Sequence, residues 1–297
     1  MIWIFGERKF GSSEINFPVS QSRSFLIFLC FLIFASSGWP APYFRESGLV
    51  DIPTGSVIEH GVFGLGTYFA FQNEDKLPRD EAAVRLDFGL FDRVEIGLTS
   101  MRHNQTSFLL GNLKVLIFRE ADAVPNLAVG IENVGDQIEN GLHDLGRYER
   151  KSTFLAISKT FNLPRVHLIS GHIGIGNNRF AEDTGMGKIL NGVFFGISKD
   201  FYPAFARGDL TFSAEVDGRG VNVGVRHTAN SGLQVYLGAE ALNAPATDEK
   251  EIRYVAGVSW TNRMLMKRIE DAKNLAKQAA LHATQAKKAV EDAKRKE

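Results

Sequence analysis

The stretch at residues 82–101 constrains the fold more than any other, because both of its halves alternate apolar and polar residues. Apolar residues occupy the even positions of 84–90 and of 94–98, with charged residues and glycines between them. Phe91-Asp92-Arg93 separates the two halves. A period of two indicates β-strand, so the stretch predicts a hairpin with one apolar face.

Twelve segments of this kind occur as far as residue 261, with no comparably long amphipathic helix between them. Most are longer than the about 5–6 residues of a strand in a soluble sheet and match the about 9–11 residues of a tilted strand that crosses a membrane. The predicted strands are residues 60–72, 82–90, 94–101, 109–118, 126–134, 152–161, 166–176, 190–200, 208–217, 219–228, 232–242 and 251–261.

The two faces of these strands differ, since one is apolar and the other mixes glycine with charge. A soluble barrel turns its apolar face inward, whereas a membrane barrel turns that face to lipid and encloses the polar one. Short turns such as 91–93 and 162–165 also alternate with longer loops such as 134–151 and 177–189. The sequence therefore predicts an all-β fold, an antiparallel transmembrane β-barrel of about 12 strands with a C-terminal α-helical tail.

Charged residues of both signs fall on the inward positions of the predicted barrel. The candidate lumen-lining residues are Arg85, Asp87, Glu95, Lys114, Glu132, Glu215, Arg226, Glu240 and Arg253. A barrel of about 12 strands lies between eight-stranded barrels filled by side chains and barrels of about 16–18 strands that hold water channels. These charges either pair and close the lumen or line a narrow polar path, and the sequence leaves both alternatives open.

An unbroken apolar run at residues 25–35 follows Arg23 and precedes small residues. This pattern predicts a signal peptide over residues 1–41, rather than a membrane anchor, because the run is about half the length that a spanning helix needs. Cys30, the single cysteine, lies in this run. The barrel is predicted over residues 42–262, in contact with lipid in the outer membrane of a Gram-negative-type bacterium.

The pattern changes to a helical one over residues 263–297, which are rich in alanine. Apolar residues recur at alternating spacings of four and three, which predicts a solvated helix and is compatible with a coiled coil. The members of this stripe are Leu265, Ile269, Ala272, Ala276, Ala279, Ala283, Ala286, Val290 and Ala293. In the predicted topology the helix lies in the periplasm, where residues 264–297 can bind a periplasmic protein or the cell wall.

Other classes of function find little support. Formal charge is balanced, with 34 Lys and Arg against 34 Asp and Glu, and no basic groove predicts a nucleic-acid partner. No pair of the seven histidines has zinc-motif spacing, so we predict neither a metal site nor another cofactor. Ser170 and His172 share one face of a strand, but that face is inward, so they are predicted to be lining residues and no catalytic residue is assigned.

Several short motifs resemble the YjbH-like exopolysaccharide-associated outer-membrane β-barrel family. They are Gly48-Leu49-Val50-Asp51-Ile52-Pro53-Thr54-Gly55, Glu59-His60-Gly61, Asn112-Leu113-Lys114, the stretch 124–132 and Ser158-Lys159. The resemblance covers roughly residues 48–200 and implies a barrel linked to making or exporting an extracellular polysaccharide. The tail after residue 262 departs from that family.

The first functional hypothesis is therefore a non-enzymatic outer-membrane barrel that assists export or assembly of an extracellular polysaccharide. A second is a structural anchor, in which the C-terminal helix tethers a periplasmic partner or the cell wall. A passive solute pore is a further alternative. A barrel hydrolase would require Ser170 for lipid hydrolysis.

Overall fold

In a computed structural model, the chain forms a closed antiparallel β-barrel of twelve strands followed by one helix. The structure describes residues 46–72, 81–103, 106–135, 151–164, 167–181, 189–218, 220–243 and 252–295. The elements are β1 (Phe63–Gln72), β2 (Glu81–Leu90), β3 (Val94–His103), β4 (Thr106–Phe118), β5 (Asn126–Val134), β6 (Ser152–Leu163), β7 (His167–Gly176), β8 (Val193–Phe201), β9 (Gly208–Val216), β10 (Val221–Ala229), β11 (Leu233–Glu240), β12 (Arg253–Thr261) and α1 (Arg263–Lys294).

Each strand pairs with its neighbours along the chain, and β1 pairs with β12 to close the barrel. The closing register places Gly64 opposite Thr261 and Gln72 opposite Arg253. All twelve predicted strands are confirmed, with ends that differ from the prediction by three residues or fewer. The helix predicted after residue 262 is also confirmed.

The two ends of the barrel differ in their connections. At one end, called the turn end, lie the links 91–93, 119–125, 164–166, 202–207 and 230–232, the start of β1 and the end of β12. At the opposite end, called the loop end, lie the longer links 135–151, 177–192 and 241–252, together with the short links 104–105 and 217–220. The turn between β2 and β3 is tight, since Phe91 and Asp92 have φ of 55° and 52° and the Arg93 amide donates to the Leu90 carbonyl. Positive φ at both central residues is typical of a type I′ turn, which here lies within a three-residue link.

The outer surface of the barrel is apolar. Side chains on the predicted lipid-facing positions are exposed, among them Phe88, Ile96, Leu113, Ile173, Ile197, Phe212 and Leu237. Exposed aromatic side chains also gather at the turn end, where Phe91, Phe118, Phe161, Phe201, Tyr202 and Phe205 lie. An apolar band bounded by aromatic residues is the surface of a transmembrane barrel. No helix within the described ranges combines the length and apolar character that crossing a membrane as a helix requires.

The interior of the barrel is occupied by the chain that precedes β1. Residues 46–62, here called the lumen segment, include side chains that are almost completely buried, such as Val50, Ile52 and Ile58. Val50 belongs to an apolar cluster with Tyr68 and Tyr236, and Ile52 to a second cluster, with Leu49, Phe154, Phe180 and Phe194.

Glycines of the barrel wall leave room for the lumen segment, because a larger side chain at these positions would clash with it. A Cβ atom on Gly224 would lie 2.5 Å from Val50 Cγ2, and one on Gly196 would lie 2.7 Å from Leu49 Cδ1. At the return toward β1, a Cβ on Gly89 would lie 2.2 Å from the Glu59 carbonyl oxygen. The segment therefore packs directly against the backbone of the wall.

Candidate functional site

Inside the barrel, the lumen segment forms a short hairpin. Its outgoing leg leads away from the turn end, and its returning leg leads back to that end. The segment starts at the turn end, where Glu46 is 3.5 Å from Arg263, the first residue of α1. Gly48 and Pro53 are bridged in antiparallel fashion, and the Leu49 amide donates to the Ile52 carbonyl at 3.1 Å. The segment then returns to the turn end, where the His60 amide donates to Asp92 Oδ1 at 2.7 Å. A covalently continuous hairpin thus occupies the lumen.

Glu215, on β9, holds the tip of this hairpin. Its carboxylate accepts hydrogen bonds from three successive backbone amides, at 3.1 Å from Val50, 2.6 Å from Asp51 and 3.4 Å from Ile52. Asn222 Nδ2 on the neighbouring strand donates to the same carboxylate at 2.9 Å. Successive amides that point at one anion form a concave anion site, here filled by a side chain of the wall.

Arg179 holds the same tip from the loop end. This residue lies in the short 3-10 helix Asn178–Phe180 that follows β7. Its guanidinium donates to Asp51 Oδ1 at 2.9 Å, to the Asp51 carbonyl at 2.7 Å and to Glu132 Oε2 at 2.8 Å. All three side chains are 1% exposed or less. A buried cation therefore joins the segment, the wall and a loop.

A second ion pair, nearer the turn end of the barrel, binds the two legs of the hairpin. Glu95 Oε2 accepts hydrogen bonds from the Ser47 hydroxyl and, at 3.2 Å, from the Ile58 amide. Lys114 Nζ lies 3.2 Å from the same oxygen and also donates to Ser47 Oγ. Since Ser47 is on the outgoing leg and Ile58 on the returning leg, one carboxylate fixes both.

A chain of hydroxyl and imidazole groups supports the middle of the segment. The Gly55 amide donates to Ser158 Oγ at 2.7 Å, and Ser158 Oγ is 2.7 Å from His172 Nδ1. His172 Nε2 is 3.1 Å from Ser198 Oγ. Ser170, the serine considered for a hydrolase, instead contacts Thr160 Oγ1 at 3.2 Å. The histidine therefore supports a serine that holds the lumen segment.

The other charged wall residues contact near neighbours or the segment. Arg85 makes two hydrogen bonds to Asp87, at 2.7 and 2.8 Å. Arg253 Nε lies 3.6 Å from Glu240 Oε2. Arg226 donates to the Glu46 carbonyl at 3.3 Å. Beside these contacts, a cavity of about 20 Å³ borders Gly48 and Arg226, which is room for about one water molecule.

All nine sequence-predicted lumen-lining residues lie on strands of the barrel. Seven are buried, and Arg226 and Arg253 are half-buried. They do not form one network across an empty lumen, because four of them, Glu95, Lys114, Glu215 and Arg226, contact the lumen segment.

Sequence reasoning missed the lumen segment and several of its partners. Arg179 lies in a loop, where no periodic pattern marks an inward direction. Ser158 lies on an inward position of a predicted strand, so the alternation of side chains along that strand was a signal that could have found it. The predicted signal peptide over residues 1–41 lies outside the described residues.

Comparisons with known proteins return structures but no sequence family. No family model matches the chain, and no curated protein matches it. A KdgM porin is similar at a TM-score of 0.42 and 8% identity, covering 66% of this chain and 98% of the porin. A NanC porin has a TM-score of 0.39 at 8% identity, with 66% and 98% covered. The COG4313 outer membrane channel from Pseudomonas putida F1 has a TM-score of 0.35 at 12% identity, with 71% and 99% covered.

Proposed function

We propose that this chain is a non-enzymatic outer-membrane barrel that assists the export or assembly of an extracellular polysaccharide, and that the lumen segment closes it at rest. The observation that carries the proposal is the polar attachment of a hairpin inside a transmembrane barrel. Glu215, Arg179 and Ser158 bind backbone amides and a carbonyl of the segment. Once the segment moves aside, the same groups can bind the hydroxyls of a glycan.

Two further points support this reading. Bacterial transmembrane barrels with short turns at one end and longer loops at the other reside in the outer membrane, with the turns on the periplasmic side. Residues 48–55, which resemble the opening of the exopolysaccharide-associated family, form the tip of the lumen segment. A pore that is open at rest fits less well, because Glu215 and Arg179 hold the segment inside the barrel.

The test is current through planar bilayers containing either the full chain or a chain that lacks residues 46–57. We expect little current through the full chain and a steady current through the shortened one. Oligosaccharides long enough to enter the barrel should reduce the second current in a concentration-dependent way, whereas monosaccharides should not. A heat-dependent shift in gel mobility checks that both chains are folded. Current that no oligosaccharide alters would contradict the polysaccharide role.

A second candidate function, an outer-membrane anchor, is favoured by α1. This helix has 32 residues, begins two residues after β12 ends, and is exposed from Lys267 to Arg295. Its apolar stripe is therefore available to a periplasmic partner or the cell wall, in a coiled coil or as a single helix.

Removal of residues 264–297 tests the anchor. We expect the shortened barrel to fold and insert normally, because the removed residues make few contacts with the wall, and to lose its association with cell-wall sacculi. Co-sedimentation with purified sacculi measures this loss, and the full chain is the control. Sedimentation that is equal for the two chains would count against a tether.

A further inference from the structure

Arg263, the first residue of α1, touches both legs of the lumen segment at the turn end. Its Nη1 lies 3.5 Å from Glu46 Oε1 on the outgoing leg, and its Nε lies 3.2 Å from Glu59 Oε2 on the returning leg. The Glu46 side chain is 3% exposed, whereas that of Arg263 is 34% exposed. One guanidinium at the mouth of the barrel therefore bridges two carboxylates of the hairpin.

The preceding residue fixes this junction to the wall. Asn262 Oδ1 accepts from the Phe63 amide at 2.8 Å, and Asn262 Nδ2 donates to the Gly61 carbonyl at 3.0 Å. The Asn262 amide donates to the Phe63 carbonyl at 3.2 Å. The base of α1 is thus attached to the point at which the lumen segment becomes β1.

The rest of α1 is free to transmit a displacement. All its residues from Lys267 onward are exposed, so the contacts with the barrel are confined to the first turn. A helix of 32 residues is about 48 Å long. Tension or rotation applied along it therefore acts first on the position of Arg263.

We infer that α1 regulates the lumen segment through Arg263. Movement of the helix separates the guanidinium from Glu46 and Glu59, which leaves the buried Glu46 carboxylate without this cation and loosens the hairpin. A partner that binds α1 in the periplasm changes the equilibrium between the held and released segment, and release of the segment changes the affinity of α1 for that partner by the same factor. This regulation rests on the proposed function, in which the segment closes the barrel.

The test measures release of the segment directly, by thiol labelling at Val50, whose side chain is completely buried. In a full chain carrying Cys30→Ser and Val50→Cys, we expect Arg263→Gln to increase the labelling rate about tenfold. Arg268→Gln, on an exposed position of the same helix, is the matched control and should leave the rate unchanged. Arg263→Lys keeps the charge and should give an intermediate rate, and mobility on gels checks that each variant is folded.

The outcomes separate the regulation from the proposed function. A labelling rate of Arg263→Gln that equals the rate of Arg268→Gln overturns the inference, even if removal of residues 46–57 opens a current. Faster labelling of Arg263→Gln supports the inference, even if no variant carries a current, in which case the proposed closure of a conduit fails instead. Equal acceleration by Arg263→Gln and Arg268→Gln would also overturn it, since the effect would not depend on the contact with Glu46 and Glu59.

Discussion

Replacing Arg179 with methionine should destabilise the barrel by about 3–5 kcal/mol, because it leaves two buried carboxylates without their shared cation. Asp51 and Glu132 lie 2.9 and 2.8 Å from the guanidinium, and none of the three side chains is more than 1% exposed. Methionine has a similar length but donates no hydrogen bond. Urea unfolding of the barrel in lipid vesicles, followed by circular dichroism and tryptophan fluorescence, measures the change in free energy of unfolding.

A surface ion pair is the matched control for this substitution. Arg119 lies 4.0 Å from Asp92, and both side chains are at least half exposed. Arg119→Met should therefore change the free energy of unfolding by about 0–1 kcal/mol. Combining Arg179→Met with Asp51→Asn and Glu132→Gln should recover much of the loss, because the cost arises from uncompensated charge. Equal small effects at Arg179 and Arg119 would show that the buried contact adds nothing to stability.

The wall of the barrel was predictable because each strand carries a strong local pattern. β5 was predicted with its observed ends, since Leu127, Val129 and Ile131 alternate with Ala128, Gly130 and Glu132. β1 begins later than predicted, at Phe63 instead of residue 60. The reason is a turn in which Gly61 has φ of 76° and the Val62 amide donates to the Glu59 carbonyl.

The lumen segment was not predictable in the same way, because its contacts are long-range. Glu215 and Arg179 meet Asp51 across 164 and 128 residues of sequence. Residues 48–55 show neither strand nor helix periodicity, and a segment without periodicity reads as a loop. Glycines in a strand can leave room for bulky neighbours. At Gly196 and Gly224 those neighbours are Leu49 and Val50, and nothing on the strands themselves indicates a partner so far upstream.

The contacts of the inward-facing charged side chains were also only partly predictable from the sequence. Side chains alternate between the two faces of a strand, and this alternation alone places Arg85, Glu95 and Glu215 on the inner side of the wall. The alternation does not show what fills the space between them. Arg85 pairs with Asp87 on its own strand, a contact that spacing suggests. Glu95 and Glu215 instead bind backbone amides of the lumen segment, which any sequence can offer.

A free peptide with the sequence of residues 46–57 should close a barrel that lacks those residues. The contacts that hold the hairpin tip come from wall and loop groups, Glu215, Arg179 and Ser158, that remain in the shortened chain. A tethered segment acts at an effective concentration of about millimolar. The peptide should therefore reduce the bilayer current of the shortened chain in a saturable way, and more readily when added on the side of the turn end.

A peptide carrying Asp51→Lys is the matched control, because it places an ammonium group against Arg179, where the native peptide places a carboxylate. Repulsion between like charges in a buried site should weaken block by about tenfold or more. Block by both peptides at equal concentrations would indicate obstruction of the mouth without occupation of the lumen site. A current through the shortened chain that neither peptide reduces would mean that residues 46–57 stabilise the barrel but do not close it. Selective block by the native peptide requires that the wall recognises the segment without the covalent link, as expected if closure is an equilibrium between bound and released states of one hairpin.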